Sequence, residues 1–561
     1  MKKFISVSLS LAMAVSVFTA CGGTQSDAGT EVEFTGITLS DDGVMVGGQA
    51  ASTDPSSAVY VSNDIIFYLE GQGAEYGEGD ASEGHSQAEA DRHTVINITQ
   101  PGNYVVSGSI SNGQIAVNLG KDSKKDPDAV VNITLNNADI TCTVAPAIVC
   151  YKAYECGTDD LEKATKDVDT STAGFNITIA DGSVNNINGS HVAKIYEPGT
   201  TDKLHKYDAA IQSMVTFNIN GSDGVLNLTS DNEGIETKMH LTINGGEINI
   251  NSADDSLNAG EDGVSVITIN DGKVVANSNG GSEGDGIDSN GWLVINGGYV
   301  SAFGNSGSMD SGLDSDNGIY INNGTVFATG NMYDEIAQGS AQTYAVFNFG
   351  TRMEKGKFLV LKSSQGVATV ALESVAGGTN WIYSSPMLVE DDYTAYKADG
   401  VDGEGVNGIY ANIKSITGEV QLAHLGAGMI MGRPFMGGGN MPQGGMDFDM
   451  PKGERPQQDT LPAGVQNMNM PQGNRPQGGF GNMTPPQGFD GKMHEGFNGQ
   501  FPQGGHMPEG FDGQIPQGGQ MPEDFDFSFS GPNQSLGQAQ PVFTIVKGGN
   551  TFSGITEYTA E

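Results

Sequence analysis

The sequence feature that most limits the possible folds is a repeat of 26 residues in the middle of the chain. Four blocks each contain two short segments of alternating apolar residues around a polar turn: LTINGGEINI (241–250), ITINDGKVVA (267–276), LVINGGYVSA (293–302) and IYINNGTVFA (319–328). The asparagines that begin the turns are 26 residues apart: Asn244, Asn270, Asn296 and Asn322. A constant period of this length is typical of a solenoid, in which each repeat buries its apolar face against its neighbours.

The alternation inside each repeat predicts strands. Apolar residues at every second position are the signature of a strand with one buried face. A third apolar segment lies between the blocks and is centred on Ile211, Ile235, Leu257, Ile287 and Leu313. Three strands in each repeat of about 26 residues predict an all-β chain folded as a parallel β-helix, in which each strand pairs with its counterpart in the next repeat.

Weaker signals extend this domain over residues 36–425. Apolar alternation predicts further strands at 94–99, 102–108, 114–118, 130–137 and 175–180. Residues 358–360 and 368–372 are predicted to be strands of a C-terminal β cap. The 82 glycines and the aromatic content of 7% agree with many short strands separated by turns, and they disfavour a helical bundle.

Both ends of the chain differ from the repeats. Lys2 and Lys3 precede an apolar stretch that ends at Cys21, so residues 1–20 are predicted to be a signal peptide. This segment resembles a bacterial lipoprotein signal. The resemblance implies a lipid thioether on Cys21, a linker over residues 21–35 and a location on the extracellular face of the bacterial membrane. Ordinary secretion without a lipid is the alternative.

A low-complexity segment is predicted over residues 426–540. It holds 14 of the 21 prolines and is rich in Gly, Gln and Met, a composition that cannot bury enough apolar surface to offset its ordering entropy. Residues 541–561 again show strand patterns, and we expect them to rejoin the β domain. The alternative is a tail that trails away from the domain.

The charge of the chain excludes nucleic acid as a partner and points to a cation. There are 26 basic and 68 acidic residues, for a net charge of −42. Acids stacked about 4.8 Å apart on successive strands repel by about 1 kcal/mol in bulk water. Bound Ca²⁺ would reverse that cost. The expected ligands are Asp208, Asp231, Glu233, Glu236, Asp254, Asp255, Asp285, Asp288, Asp310, Asp314 and Asp316. The alternative is a solvated acidic face.

These residues also carry a family resemblance. The segments DAAIQS (208–213), DDSLNA (254–259) and DGIDS (285–289) precede LxINGG blocks, with GNYVVSG (102–108) upstream and SSPML (384–388) downstream. Together they resemble the carbohydrate-binding β-helix lipoproteins of plant-fibre-degrading anaerobes. The resemblance implies a right-handed parallel β-helix with bound calcium that adheres to plant cell-wall polysaccharide, such as pectic acids or cellulose. Family members usually carry His where this chain has Gln212, Glu236, Asn258, Asp288 and Asp314.

Two kinds of contact with a glycan are consistent with the sequence. A calcium ion shared between protein and uronate carboxylates would overcome the repulsion between two polyanions. Aromatic side chains would instead stack on a neutral sugar. The alternation predicts that Trp292, Tyr320, Tyr299 and Phe327 face outward, and the first three are the expected carbohydrate contacts.

Catalysis and a purely structural role are the rival functions. A calcium-dependent lyase needs a strong base, for which Lys238 and Lys273 are candidates, whereas no Gly-His-Gly or Arg-x-Lys element of a pectin hydrolase occurs. A structural surface adhesin is the third class. Cys142, Cys150 and Cys156 are predicted to be buried thiols, or one disulfide with a spare thiol. The sequence predicts no oligomeric state.

Overall fold

Regular structure in the chain is almost entirely β. The computed structural model describes residues 33–72, 76–79, 81–196, 206–425 and 539–559. Helical structure in these ranges is confined to an α-helix, Gln87–Ala90, and a 3-10 helix, Ser123–Lys125. No helix in these ranges is long and apolar enough to cross a membrane. Two-residue strands are Met45–Val46, Gln49–Ala50, Gly77–Glu78 and Lys194–Ile195.

The first stack consists of nine strands, each paired in parallel with the next. It includes the strands that were predicted to precede the asparagine turn in each repeat. Its members are Phe34–Leu39, Gly102–Ile110, Val131–Thr141, Phe175–Ile179, Phe217–Gly221, His240–Ile243, Val266–Ile269, Trp292–Ile295 and Gly318–Ile321.

The second stack contains the strands after the turn, again in parallel. It starts on the last residues of Val131–Thr141 and continues through Val184–Gly189, Val225–Ser230, Glu247–Asn251, Lys273–Asn277, Tyr299–Phe303 and Thr325–Gly330.

The third stack carries the acid-rich segments. An antiparallel strand, Val59–Ser62, covers its first member. The parallel strands are Thr94–Ile98, Gly113–Asn118, Ile148–Lys152, Ala209–Ser213, Glu233–Thr237, Leu257–Ala259 and Ile287–Ser289.

The strand register confirms the 26-residue period. Leu241 pairs with Ile267, Ile267 with Leu293 and Leu293 with Ile319, and all four side chains are fully buried. Their shared core also contains the inward residues of the other two stacks. The chain therefore places equivalent residues of successive repeats side by side, as the alternation predicted.

A ladder of side-chain amides runs along the turns that follow the first stack. The Nδ2 of Asn270 donates to the Oδ1 of Asn244 at 2.8 Å, and Asn296 and Asn322 continue the series at 3.0 and 2.9 Å. Two positions after each ladder asparagine the backbone has a positive φ, which is 79° at Gly298. A Cβ added at Gly298 would lie 2.6 Å from the carbonyl oxygen of Gly272. The Asn-x-Gly pattern of the repeat thus has a backbone cause.

Antiparallel strands follow the three stacks and form a second core. Asn380–Ser384 pairs with Thr325–Gly330, the last strand of the second stack. Phe543–Ile545 pairs with Asp391–Ala398 in antiparallel orientation, whereas Gly549–Glu557 pairs in parallel with Tyr344–Phe349. The remaining strands are Phe358–Lys362, Ala368–Glu373, Gly400–Val406, Ile409–Thr417 and Val420–Ala423.

One predicted outward aromatic lies inside this second core. Phe327 is fully buried, and its ring centroid is 5.4 Å from that of Trp381 and 5.8 Å from that of Phe303. The prediction that Phe327 faces solvent is wrong, because a later part of the chain covers the outer side of the last repeat.

Several predicted segments lie outside the described residues. They are the signal peptide (1–20), the lipidated Cys21, most of the 21–35 linker, and the low-complexity segment 426–540 apart from its last two residues. These assignments and the domain boundaries stay predictions.

Candidate functional site

A column of polar side chains runs along the outward position of the third stack. Gln212 pairs with Glu236, Glu236 with Asn258, and Asn258 with Asp288. A bridge between Ile287 and Leu313 places Asp314 in the following repeat. The column exists because each of these residues follows an inward Ile or Leu in a strand whose period is two. These are the positions at which the resembling family usually carries His.

Three acids converge at the start of this column, and we call Asp208, Glu233 and Glu236 the acid triad. One carboxylate oxygen of each lies within 4.8 Å of the others. The three residues are 7%, 6% and 4% exposed. The sequence predicted an outward ridge of acids, whereas these three are buried. At this point the predicted outward ridge is therefore an enclosed cluster of carboxylate oxygens.

Neighbouring polar groups hold the acid triad in place. Asn258 donates from Nδ2 to the Oε1 of Glu233 at 3.0 Å. The Nζ of Lys206 lies 2.8 Å from the Oδ2 of Asp208. The backbone N–H of Asp208 donates to the Oε1 of Gln212 at 2.9 Å. The second oxygen of Glu233, Oε2, is buried and accepts no hydrogen bond from any described residue.

The electrostatics of the triad favour a cation. Burial, together with the carboxylates of Glu236 and Asp208, raises the pKa of Glu233 well above its ordinary value. A buried carboxylate without a partner is costly, and a positive ion between the three groups removes that cost. Lys206 supplies one positive charge to three acids.

Three further acids form hydrogen bonds between the turns of successive repeats. The backbone N–H of Asp285 donates to the Oδ1 of Asp255 at 2.6 Å, and that of Gly284 to the Oδ2 of Asp310 at 2.7 Å. The backbone N–H of Ser311 donates to the Oδ1 of Asp285. Burial and then Asp288 raise the pKa of Asp255, and burial and then Asp255 raise that of Asp285. These acids fix the turns as well as carrying charge.

The other predicted ligands are not in the cluster. Asp231 accepts from the Ser190 hydroxyl at 2.5 Å and lies 3.2 Å from the Nδ1 of His191. Although burial opposes the shift, hydrogen bonds from His191 and Ser190 lower the pKa of Asp231. Burial raises the pKa of Asp254 against the attraction of Lys206. Asp288 and Asp314 lie farther along the column, and Asp316 is exposed.

The predicted aromatic contacts do not form one flat platform. Trp292 pairs with Val266 and Gly318, whereas Tyr320 pairs with Val294, so the two aromatics are offset diagonally by two residues. Both are half-buried, and the Nζ of Lys166 lies 5.1 Å from the centroid of the Tyr320 ring. Tyr299 is 44% exposed and belongs to the second stack.

A lysine beside the acid triad, Lys206, was not predicted from the sequence pattern. The predicted bases are engaged elsewhere: Lys238 pairs with Glu261 at 3.4 Å and Lys273 with Glu247 at 3.3 Å. Lys206 lies just before the first acid-rich segment, so it is not part of the periodic pattern. Its spacing of two residues from Asp208 is the sequence signal that could have identified it.

The three cysteines outside the signal region are free thiols. Cys142 and Cys150 are buried, and Cys156 is half-buried. Burial raises the pKa of Cys142 to about 12 and that of Cys156 to about 11. Burial raises the pKa of Cys150 as well, so none of the three thiols is activated as a nucleophile, and they form no disulfide with one another.

Comparisons with known proteins place the chain in a family. A solved structure described as a polysaccharide lyase-like protein from C. thermocellum, a gadolinium derivative, is 20% identical with a TM-score of 0.33, covering 52% of this chain and 90% of that chain. No curated protein matches. The family model "Carbohydrate-binding domain-containing protein" matches residues 92–392. Because this is more than half of the chain, the protein belongs to the family of carbohydrate-binding domain-containing proteins.

Proposed function

We propose that this protein is a lipid-anchored cell-surface protein that binds plant cell-wall polysaccharide, either acidic pectic glycans or cellulose, without cleaving it. In this proposal a right-handed parallel β-helix presents calcium on its acidic face. The family supports carbohydrate binding. The single observation that carries the calcium part is the buried oxygen of Glu233 that lacks a partner among the described residues.

The three parallel stacks support a β-helix. They follow the same order in each repeat and share a core of inward aliphatic side chains. Parallel strands require a connection that returns to the same edge, and a helical path through three stacks provides it with short turns. The regular outward positions then form continuous columns along the molecule, where an extended polymer could lie.

The acid triad fits calcium. Calcium takes 6 to 8 oxygen ligands at about 2.3–2.6 Å, so oxygens of one site lie within about 5 Å of one another. The triad oxygens meet that limit at 4.8 Å. When bound, the ion would supply positive charge and open coordination positions for a uronate carboxylate. Asn258 would orient Glu233, and Gln212 would fix the backbone of Asp208.

The charge of the protein explains why a cation is needed. A chain of net charge −42 repels polygalacturonate unless a divalent ion lies between the carboxylates of both partners. Binding of the acidic glycan should therefore disappear with a chelator. The predicted lipid on Cys21 would keep this binding at the cell surface, since one acyl anchor with a second lipid chain gives stable attachment.

The test is retention of the full chain on polygalacturonate, xylan and cellulose, with calcium and with EDTA. We expect retention on polygalacturonate that needs calcium and that the double variant E233Q/E236Q lacks. The matched control E247Q changes a half-buried glutamate of the second stack, which pairs with Lys273, and should be retained like the wild type. Absence of retention on every glycan would favour the structural adhesin.

A calcium-dependent polysaccharide lyase is the second candidate, and the position of Lys206 favours it. Its ammonium lies 2.8 Å from the Oδ2 of Asp208. Although burial opposes the shift, Asp208 raises the pKa of Lys206, so this lysine would act as a base only after a bound cation weakened that attraction. Such a reaction cleaves the glycosidic bond and leaves a double bond in the new end sugar. Unsaturated products released from polygalacturonate by the wild type, and lost in K206M, would establish the lyase. Retention without products supports the binder.

A further inference from the structure

A groove separate from the acid triad lies on the outer side of the first stack. Its volume is about 500 Å³. One wall is the segment 166–171, and the other wall is the asparagine ladder, Asn244, Asn270, Asn296 and Asn322. The segment 166–171 belongs to the long connection between the strands Ile148–Lys152 and Phe175–Ile179, which we call the insertion at 152–172. The floor contains Asn218, Thr242, Thr268 and Val294. None of these residues belongs to the acid triad.

The insertion is attached firmly to the stack, so the groove is preformed. The Thr170 hydroxyl donates to the Thr242 hydroxyl at 2.8 Å. The Nδ2 of Asn218 donates to the Thr170 carbonyl oxygen at 2.9 Å. Farther along the insertion, the carboxylate of Glu155 accepts the backbone N–H of Thr216 at 2.7 Å. A preformed wall reduces the ordering entropy that a ligand has to overcome.

The floor of the groove repeats at the spacing of the strands. Asn218 pairs with Thr242, Thr242 with Thr268, and Thr268 with Val294, so each repeat contributes one floor residue. Neighbouring strands are about 4.8 Å apart. A β-1,4-linked pyranose chain advances by nearly that distance for each sugar. A linear polysaccharide lying along the stack would thus present one ring to each repeat.

Hydrogen-bonding groups remain open along the groove. The Oδ1 of Asn218 is buried, in a side chain only 6% exposed, and accepts nothing from the part of the chain that the structure describes. The Nδ2 of the same side chain is already used by Asn176 and Thr170, so the oxygen is the open end of an amide ladder. Asn244, Asn270 and Asn296 each use one N–H and one lone pair along the ladder, which leaves one donor and one acceptor on each for hydroxyl groups.

The charges in the groove favour a neutral ligand. The Nζ of Lys166 is 2.6 Å from Asp167, and Asp169 adds a second acid to the same wall. The two acids of this wall, Asp167 and Asp169, outnumber its one basic side chain, Lys166. The net negative charge of the wall would repel a uronate chain. A neutral sugar, whose hydroxyls both donate and accept, suits amide and hydroxyl side chains without any metal.

We propose that this groove is a second carbohydrate subsite, which binds a neutral β-1,4-linked pyranose chain without calcium. It rests on the proposed function only in that the ligand is a polysaccharide. The groove would give the protein two independent contacts with a plant cell wall, one for acidic and one for neutral chains.

The experiment is isothermal titration calorimetry of the full chain with xylohexaose and cellohexaose in EDTA. T268Y fills the floor of the groove, and T229Y places the same side chain at an exposed threonine of the second stack. We expect binding of at least one hexasaccharide, a loss of at least about tenfold in affinity for T268Y, which corresponds to about 1.4 kcal/mol, and wild-type affinity for T229Y. Thermal unfolding of both variants checks that they fold alike.

Three outcomes would overturn the proposal: no binding of either hexasaccharide in EDTA, equal affinity of T268Y and the wild type, or an equal loss in T229Y. If neither hexasaccharide binds in EDTA but the protein is retained on polygalacturonate in the presence of calcium, the groove proposal is wrong and the proposed function is still supported. Hexasaccharide binding without retention on polygalacturonate would instead support the groove and remove the calcium-mediated contact.

Discussion

Asn258 donates a hydrogen bond of 3.0 Å to the Oε1 of Glu233, from one strand of the third stack to its neighbour. This bond occupies one oxygen of the Glu233 carboxylate. The other oxygen, Oε2, accepts no hydrogen bond from any described residue, and the carboxylate belongs to the acid triad. Asn258 therefore acts as a positioning residue for Glu233. It stands where the resembling family usually carries His, and in the proposed calcium site it would orient the carboxylate of Glu233.

The first prediction concerns this orientation. N258S removes the amide that holds Glu233, and we expect calcium affinity to fall by about 10- to 100-fold, as is usual when a residue that orients a metal ligand is lost. Calcium titration by calorimetry measures the change. The control N249S removes a similar amide bond, 3.1 Å long, from Asn249 to Asn227 in the second stack. Equal calcium affinity of N258S and the wild type would contradict the role given to Asn258.

The second prediction separates the triad's charge from its ligand function. Without calcium, E233Q/E236Q should unfold at a higher temperature than the wild type, because like charges that burial makes costly are removed. With calcium at 100 times its dissociation constant, the wild type should gain about 2.7 kcal/mol and the variant should gain nothing. Thermal melts with EDTA and with calcium measure both effects. A variant that calcium stabilises as strongly as the wild type would show that the ion binds elsewhere.

The third prediction is a pH dependence that arises from His240. Burial lowers the pKa of His240 to about 4, and its side chain is 2% exposed. The unfolded state takes up the proton near pH 6.5, so stability that is present above that pH is lost as the pH falls towards 4. The difference amounts to about 3 kcal/mol.

Urea unfolding between pH 4 and 8 tests whether stability is lost as the pH falls. The difference in unfolding free energy between wild type and H240Q should shrink by about 3 kcal/mol as the pH falls from 7 to 4. The control N249S keeps every histidine and should show the wild-type slope through this range. A pH-independent difference for H240Q would mean that His240 is protonated equally in both states.

The fourth prediction compares two aromatics that the same alternation placed on the surface. F327A removes a fully buried ring between Phe303 and Trp381 and should cost about 3–5 kcal/mol of unfolding free energy. Y299A changes a side chain that is 44% exposed and should cost less than about 1 kcal/mol. Chemical denaturation measures both. Equal costs would indicate that the antiparallel strands do not cover Phe327.

The sequence predicts the strands well because local alternation and a fixed period determine their register. Leu241, Ile267 and Leu293 are buried and adjacent for that reason alone. The burial of Phe327 could not be predicted, because it depends on Trp381, which lies outside the repeat.

The candidate sites show the same division. The sequence identifies acids on the third stack, but not which three converge, since that depends on contacts from Lys206 and Asn258 in different segments. The groove could not be predicted from the periodic pattern either. One of its walls belongs to the insertion at 152–172, which interrupts the repeat in sequence and returns to it through Thr170.

The most direct test of the central claim is a crystal structure of the full chain grown in millimolar calcium, with anomalous difference maps. The account predicts a calcium peak between Asp208, Glu233 and Glu236, with oxygen distances of about 2.3–2.6 Å. A triad without a peak, with Lys206 still paired to Asp208, would contradict it.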